Sequence, residues 1–150
     1  MLSEFFKGAP SIAKTKLMKL FFYSDMISYK FFGKSISGLK YAHLPFGPVP
    51  DQFELLLDFL NRYSVLRISI TPSDNGYERQ DFHFSGKKIE DYLSEEEKTI
   101  IKSVTGKFRN LNSTEISEYS HEENGYRHTV VGELISYSYA KDIQWEKVFE

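Results

Sequence analysis

Thr15-Lys16-Leu17-Met18-Lys19-Leu20-Phe21-Phe22-Tyr23-Ser24-Asp25, continuing through Met26-Ile27-Ser28-Tyr29-Lys30-Phe31-Phe32, is the segment on which the fold turns. Leu17, Leu20, Phe21, Ser24, Ile27 and Phe31 recur at helical spacing as one stripe, and Met18, Phe22, Met26 and Tyr29 add a second apolar face. A helix apolar around so much of its circumference is buried on several sides, so it is expected to be the central helix. Ser11 or Thr15 is placed to cap its first turn through a hydroxyl, and Gly33 suits the left-handed position that closes a helix. Lys14, Lys16, Lys19 and Lys30 are expected as solubilising charges, with a basic stripe facing an acidic partner as the alternative.

Working outward, Gly38-Leu39-Lys40-Tyr41-Ala42-His43-Leu44-Pro45-Phe46-Gly47-Pro48-Val49-Pro50 holds too many prolines for a helix. Each proline biases its predecessor toward extended geometry, which predicts a fixed loop after a short extended piece. Pro50 suits the first turn of a helix from Asp51 to about Arg62, with Phe53, Leu56, Leu57 and Leu60 on its apolar face. Residues 65–70 and 76–84 read as two strands of a β-hairpin around Pro72-Ser73-Asp74-Asn75. Ser94 with Glu97, and Asn112 with Glu115, are capping boxes that open two further helices, the second expected to stop at Gly125. A last short helix is expected after Ser136. The sum is an α+β, helix-dominated fold: helices around one buried helix, with a small antiparallel sheet beside them.

The 150 residues, 41% hydrophobic and 16% aromatic, suit one domain spanning 1–150 that buries about two-thirds of its unfolded surface. Absence of cysteine excludes disulfides, thiolate metal sites and thiol nucleophiles. No apolar run approaches the roughly 20 residues of a membrane span, and no leader pattern opens the chain, so a soluble, cytoplasmic protein is expected. The net charge of −2 is unevenly spread: residues 1–50 carry seven lysines against Glu4 and Asp25, whereas residues 51–100 carry eleven acids against six bases. A pI near 6.1 argues against nucleic acid as the partner of this domain alone.

Four motifs carry a family resemblance. Thr15 to Asp25 resembles the K-L-x-K-L-[LF]-[FY]-Y central-helix signature of the SocA-like Panacea antitoxin domain of bacteria and phages. Gly38-Leu39-Lys40-Tyr41 leading to Phe46-Gly47-Pro48-Val49-Pro50, then Leu93-Ser94-Glu95-Glu96-Glu97, then Leu111 to Glu123, are similar to the family's further motifs in order and spacing. The resemblance implies an antitoxin that neutralises a cognate toxin by direct binding, in a toxin–antitoxin or phage-defence locus. It also implies two alternatives, a proteolytic adaptor that delivers the toxin to a protease and a transcriptional regulator of the locus. Two departures stand out. Only Met1 to Lys7 occupies the place of the family's first helix, and Tyr126-Arg127 stands where a tryptophan is common, Trp145 lying later.

No chemistry of an enzyme is indicated. His121-Glu122-Glu123 resembles the start of a zinc-protease helix, but Gly125 replaces the second histidine and His128 is seven residues on. His121, with Ser120 and Glu122, is instead expected to order a helix end by side-chain hydrogen bonds. No serine lies in a nucleophile elbow, no glycine-rich loop cradles phosphate, and Glu95-Glu96-Glu97 is explained by a helix's first turn. An unrecognised hydrolase or metalloenzyme is the weakest reading, and no cofactor is expected. Tyr41, His43, Phe46 and Pro48 on a rigid loop, with His121, Glu122 and Arg127, are the candidate partner-binding residues, because rigid aromatic area suits protein recognition.

Overall fold

The computed structural model describes residues 1–87 and 92–146. Its centre is α2 (Lys14–Phe32), in which every residue from Leu17 to Ser28 is buried, as the two apolar faces require. Neither Ser11 nor Thr15 caps it. The N-cap is Ala13, with no side-chain bond, because the preceding residues are held extended in strand β1 (Ile12–Ala13). At the other end Gly33 adopts φ 70° and donates its N–H to Tyr29 O, the closure a glycine allows without strain.

Short helix α1 (Leu2–Phe5) precedes β1, and Phe5 packs edge-on against Phe21 of α2 at 5.1 Å. The expected hairpin is present as β4 (Leu66–Pro72) and β5 (Glu78–Phe84). Strand β1 joins it on the far side of β5, giving the order β1-β5-β4. A second sheet was not anticipated. Tyr41 to Pro50, expected as a loop, folds as β2 (Tyr41–Leu44) and β3 (Gly47–Pro50), with β6 (Leu134–Ile135) on the other edge of β2.

The register explains how the prolines are accommodated. Asp51 N–H donates to Lys40 O at 2.7 Å, and His43 pairs with Pro48 and Tyr41 with Pro50. Antiparallel pairs alternate between bonded and unbonded, so both prolines fall where the missing N–H would point away from β2. Pro50 therefore ends a strand, and α3 (Phe53–Arg62) begins only after Gln52 in a left-handed conformation.

Both capping boxes form. Ser94 accepts from Glu97 N–H at the head of α4 (Glu95–Phe108), and Asn112 accepts from Glu115 N–H at the head of α5 (Ser113–His121). Helix α4 buries Ile100, Ile101, Val104 and Phe108 in the core cluster that also holds the α2 side chains. The chain does not stop at Gly125. Helix α5 ends at His121 and a single turn, α6 (Asn124–Arg127), follows. A Cβ at Gly125 would lie 2.7 Å from Ile135 Cγ2, so glycine is present there for close packing and not for a helix stop. The last helix is a 3₁₀ segment (Tyr137–Asp142) whose Ser136 cap accepts from Ser138 N–H.

The four lysines of α2 correct the expectation of a solubilising or basic stripe. Lys14 pairs with Glu54, Lys16 donates to Arg109 O and Leu111 O, and Lys30 donates to Ile143 O. Lys19 is fully buried. Each ties α2 to another segment, an outcome that depends on which surfaces the fold brings alongside the helix. Asp25, also fully buried, does the same as an acceptor: it takes the N–H of Ile36 and of Ser37, the Ser37 hydroxyl and the Tyr41 hydroxyl, fixing the chain's path from α2 into β2. Burial outweighs these bonds and raises its carboxyl above the usual range.

Candidate functional site

Strands β2 and β3 are joined by the two-residue turn Pro45-Phe46, closed by the Leu44–Gly47 pair. Three segments far apart in sequence hold this turn from below. Lys19 Nζ donates to Pro48 O at 2.8 Å, Ser117 Oγ donates to Phe46 O at 2.6 Å, and Tyr126 Oη donates to Leu44 O at 2.9 Å. Gly47, at φ 105°, is required by crowding as well as by its backbone. A Cβ there would meet Ser120 Oγ and come within 2.8 Å of Lys19 Cε. The lysine of the central-helix motif, the glycine of the Phe46–Pro50 motif and the serine before His121 thus meet at one point.

Lys19 has no carboxylate partner among the described residues, and desolvation lowers its amine to about 7. Tyr126 lies between two imidazoles, stacked on His43 at 3.7 Å and on His121 at 4.6 Å. His43 Nδ1 is 2.9 Å from Thr129 Oγ1. The expected ordering of the helix end by His121 hydrogen bonds is not seen: among the described residues its buried Nε2 has no partner, and the ring contributes through stacking. Glu123, the N-cap of α6, accepts instead from Tyr23 Oη at 2.9 Å, and burial raises its carboxyl.

The structure therefore divides the candidate residues. Tyr41, His43 and Pro48 are buried; His43 and Pro48 pair next to the turn, whereas Tyr41 pairs with Pro50 at the hairpin's other end and donates to Asp25. Phe46 is 68% exposed at its tip, and Glu122 at the end of α5 and Arg127 at the end of α6 are exposed, 3.9 Å apart. Leu44, Val130, Val131 and Leu134 are exposed apolar residues on the same β2–β6 end of the sheet, joined by the bonds His43 N–H to Glu133 O and Gly132 N–H to His43 O. Sequence reading missed them, because strand β6 and its approach carry no periodic signal. The only legible hint was the crowding of valine and leucine near Gly132.

The turn thus presents an exposed aromatic on bonded backbone, with exposed apolar residues of β2 and β6 on the same sheet. Among the described residues no group of three or more His, Cys, Asp or Glu could hold a metal ion, and no helix is long and apolar enough to cross a membrane. The family model of the SocA-like antitoxin, Panacea domain, matches residues 17–126, and the chain belongs to that family. No curated protein and no solved structure matches it. The matched stretch runs from the first buried leucine of α2 to the Tyr126 ring under the turn, so it contains Lys19, His43, Gly47, Ser117, Ser120 and His121, whereas Arg127, Thr129, Val130, Val131 and Leu134 lie beyond it.

Proposed function

We propose that this chain acts as a single antitoxin domain that neutralises a cognate toxin by direct protein–protein binding, without turnover. One observation carries the reading. Phe46 is two-thirds exposed, yet its backbone is bonded by Ser117 and its neighbours' carbonyls by Tyr126, all within the family-matched stretch. An exposed aromatic costs little entropy to immobilise when its turn is already rigid, which is the property of a binding hot spot.

Co-expression with the product of the adjacent open reading frame tests this. The expected result is that the neighbour arrests growth alone, that this chain restores growth, and that the two co-purify. Rescue should fail with Phe46→Asp while the variant remains folded. A harmless neighbour, or a toxic one that is neither bound nor neutralised, would overturn the proposal.

A further inference from the structure

A second surface lies at the start of α5, away from the turn that Ser117 and Ser120 contact. It is a cleft of about 950 Å³ between the α1–β1 segment, β5 and the α4–α5 junction. Five cationic side chains line it, Lys7, Lys14, Lys16, Arg79 and Arg109, against the single acid Glu78. This concentration is local, since the whole chain has net charge −2. Lys7, Lys14 and Arg79 form ion pairs with Glu4, Glu54 and Asp81, none of which lines the cleft; Lys16 is held by the Arg109 and Leu111 carbonyls, and Arg109 has no carboxylate partner among the described residues. The side chains of Lys7 and Arg79 are 69% and 65% exposed, so each can meet an incoming carboxylate while keeping its own acid.

Backbone geometry adds a direction to the charge. Strand β1 pairs with β5 at Ile12–Phe82 and Ala13–Asp81, and among the described residues Glu78 to Gln80 have no strand partner on that side. Glu78, Arg79 and Gln80 form one wall of the cleft, at the place where the chain leaves β1 for the first turn of α2. An extended chain lying there would take up the open backbone groups as an added strand while its side chains met the cations. Ile12 and Leu20 supply an apolar floor.

We infer that this cleft receives an extended acidic segment of the protein partner, seated along the free edge of β5. The inference rests on the reading of the chain as a toxin-binding antitoxin domain, and it gives the partner two anchors at the two ends of α5. Electrostatic complementarity of this sort sets approach and register more than total affinity.

The test is fluorescence anisotropy with the purified full chain and a labelled decaglutamate peptide, alongside a glycine–serine peptide of equal length and a single-stranded RNA oligonucleotide. Decaglutamate should bind and weaken with added salt, and the neutral peptide should not bind. Arg79→Glu with Arg109→Glu should weaken binding by about tenfold or more, whereas Lys102→Glu with Lys141→Glu, exposed and outside the cleft, should change it by less than about twofold. Equal weakening by both pairs, no decaglutamate binding, or tighter binding of the oligonucleotide would each overturn the inference. Because the titration needs no toxin, a wild-type chain that rescues growth but ignores decaglutamate removes the cleft alone, while failure of rescue removes the antitoxin reading.

Discussion

Replacing Lys19 by methionine should stabilise the fold at acid pH and lose that advantage as pH rises. Lys19 is fully buried in α2, it donates to Pro48 O at 2.8 Å, and desolvation lowers its amine from 10.5 to about 7. Below about pH 7 the amine is charged in both the folded and unfolded chain, and the folded state bears the full cost of burying the charge. Between about 7 and 10.5 the unfolded chain binds a proton that the folded chain does not, so stability rises with pH, and above that range the cost is gone. At about 1.4 kcal/mol per pH unit the whole interval is worth roughly 5 kcal/mol. Methionine keeps the stem's volume and removes the charge but leaves the Pro48 carbonyl unbonded, which costs about 1–3 kcal/mol. Near pH 6 the variant should therefore be more stable by about 2–4 kcal/mol. By about pH 9.5 the wild type should have regained about 3 kcal/mol on it, bringing the two level or reversing their order. Urea unfolding of both proteins at several pH values measures this, with the tyrosine titrations common to both cancelling in the difference. Parallel stability profiles between about pH 7 and 9.5 would show that the amine is not buried as a neutral base, and the reasoning would fail.

Gly47→Ala should destabilise by about 2–4 kcal/mol in the same urea assay, since its Cβ would be driven into Lys19 and Ser120 at a φ that side chains avoid. Asp25→Asn keeps an oxygen for the Ile36 and Ser37 N–H groups but puts an NH2 donor where the Ser37 and Tyr41 hydroxyls now donate, and should cost about 1–3 kcal/mol, read as a lowered thermal midpoint. Because burial raises the Asp25 carboxyl above its unfolded value of 3.8, its contribution makes wild-type stability fall as pH rises through the interval above 3.8; the asparagine variant should lack that component. Phe46→Ala should move stability by less than about 0.5 kcal/mol yet weaken toxin binding by about 2 kcal/mol or more, measured by thermal melting and calorimetric titration.

Local signals proved sufficient wherever the decisive interaction lies within a few residues. The burial of α2 follows from its two apolar faces, Gly33 from the need for a left-handed residue, and both capping boxes from bonds that span three residues. The β4–β5 hairpin is legible for the same reason, its strands lying either side of one turn. Pairings with distant segments are another matter. Strand β1 is two residues long and exists only because Phe82 and Asp81 lie opposite it, and its formation displaced the hydroxyl cap expected for α2. The prolines of β3 read as loop, since nothing local says that their missing donors point away from β2.

The candidate site divides along the same line. Sequence alone, through composition and the order of four motifs, determined a cysteine-free, helix-dominated α+β chain of the Panacea family with Phe46 on a rigid segment. Tertiary structure alone decided that Tyr41 faces inward and Phe46 outward, that Tyr126 stacks between His43 and His121, and that Lys19 reaches Pro48 across 29 residues of chain. The physical reason is that exposure, desolvation and stacking are properties of the packed neighbours a residue acquires, and those neighbours come from parts of the chain whose distance in sequence carries no trace of their contact.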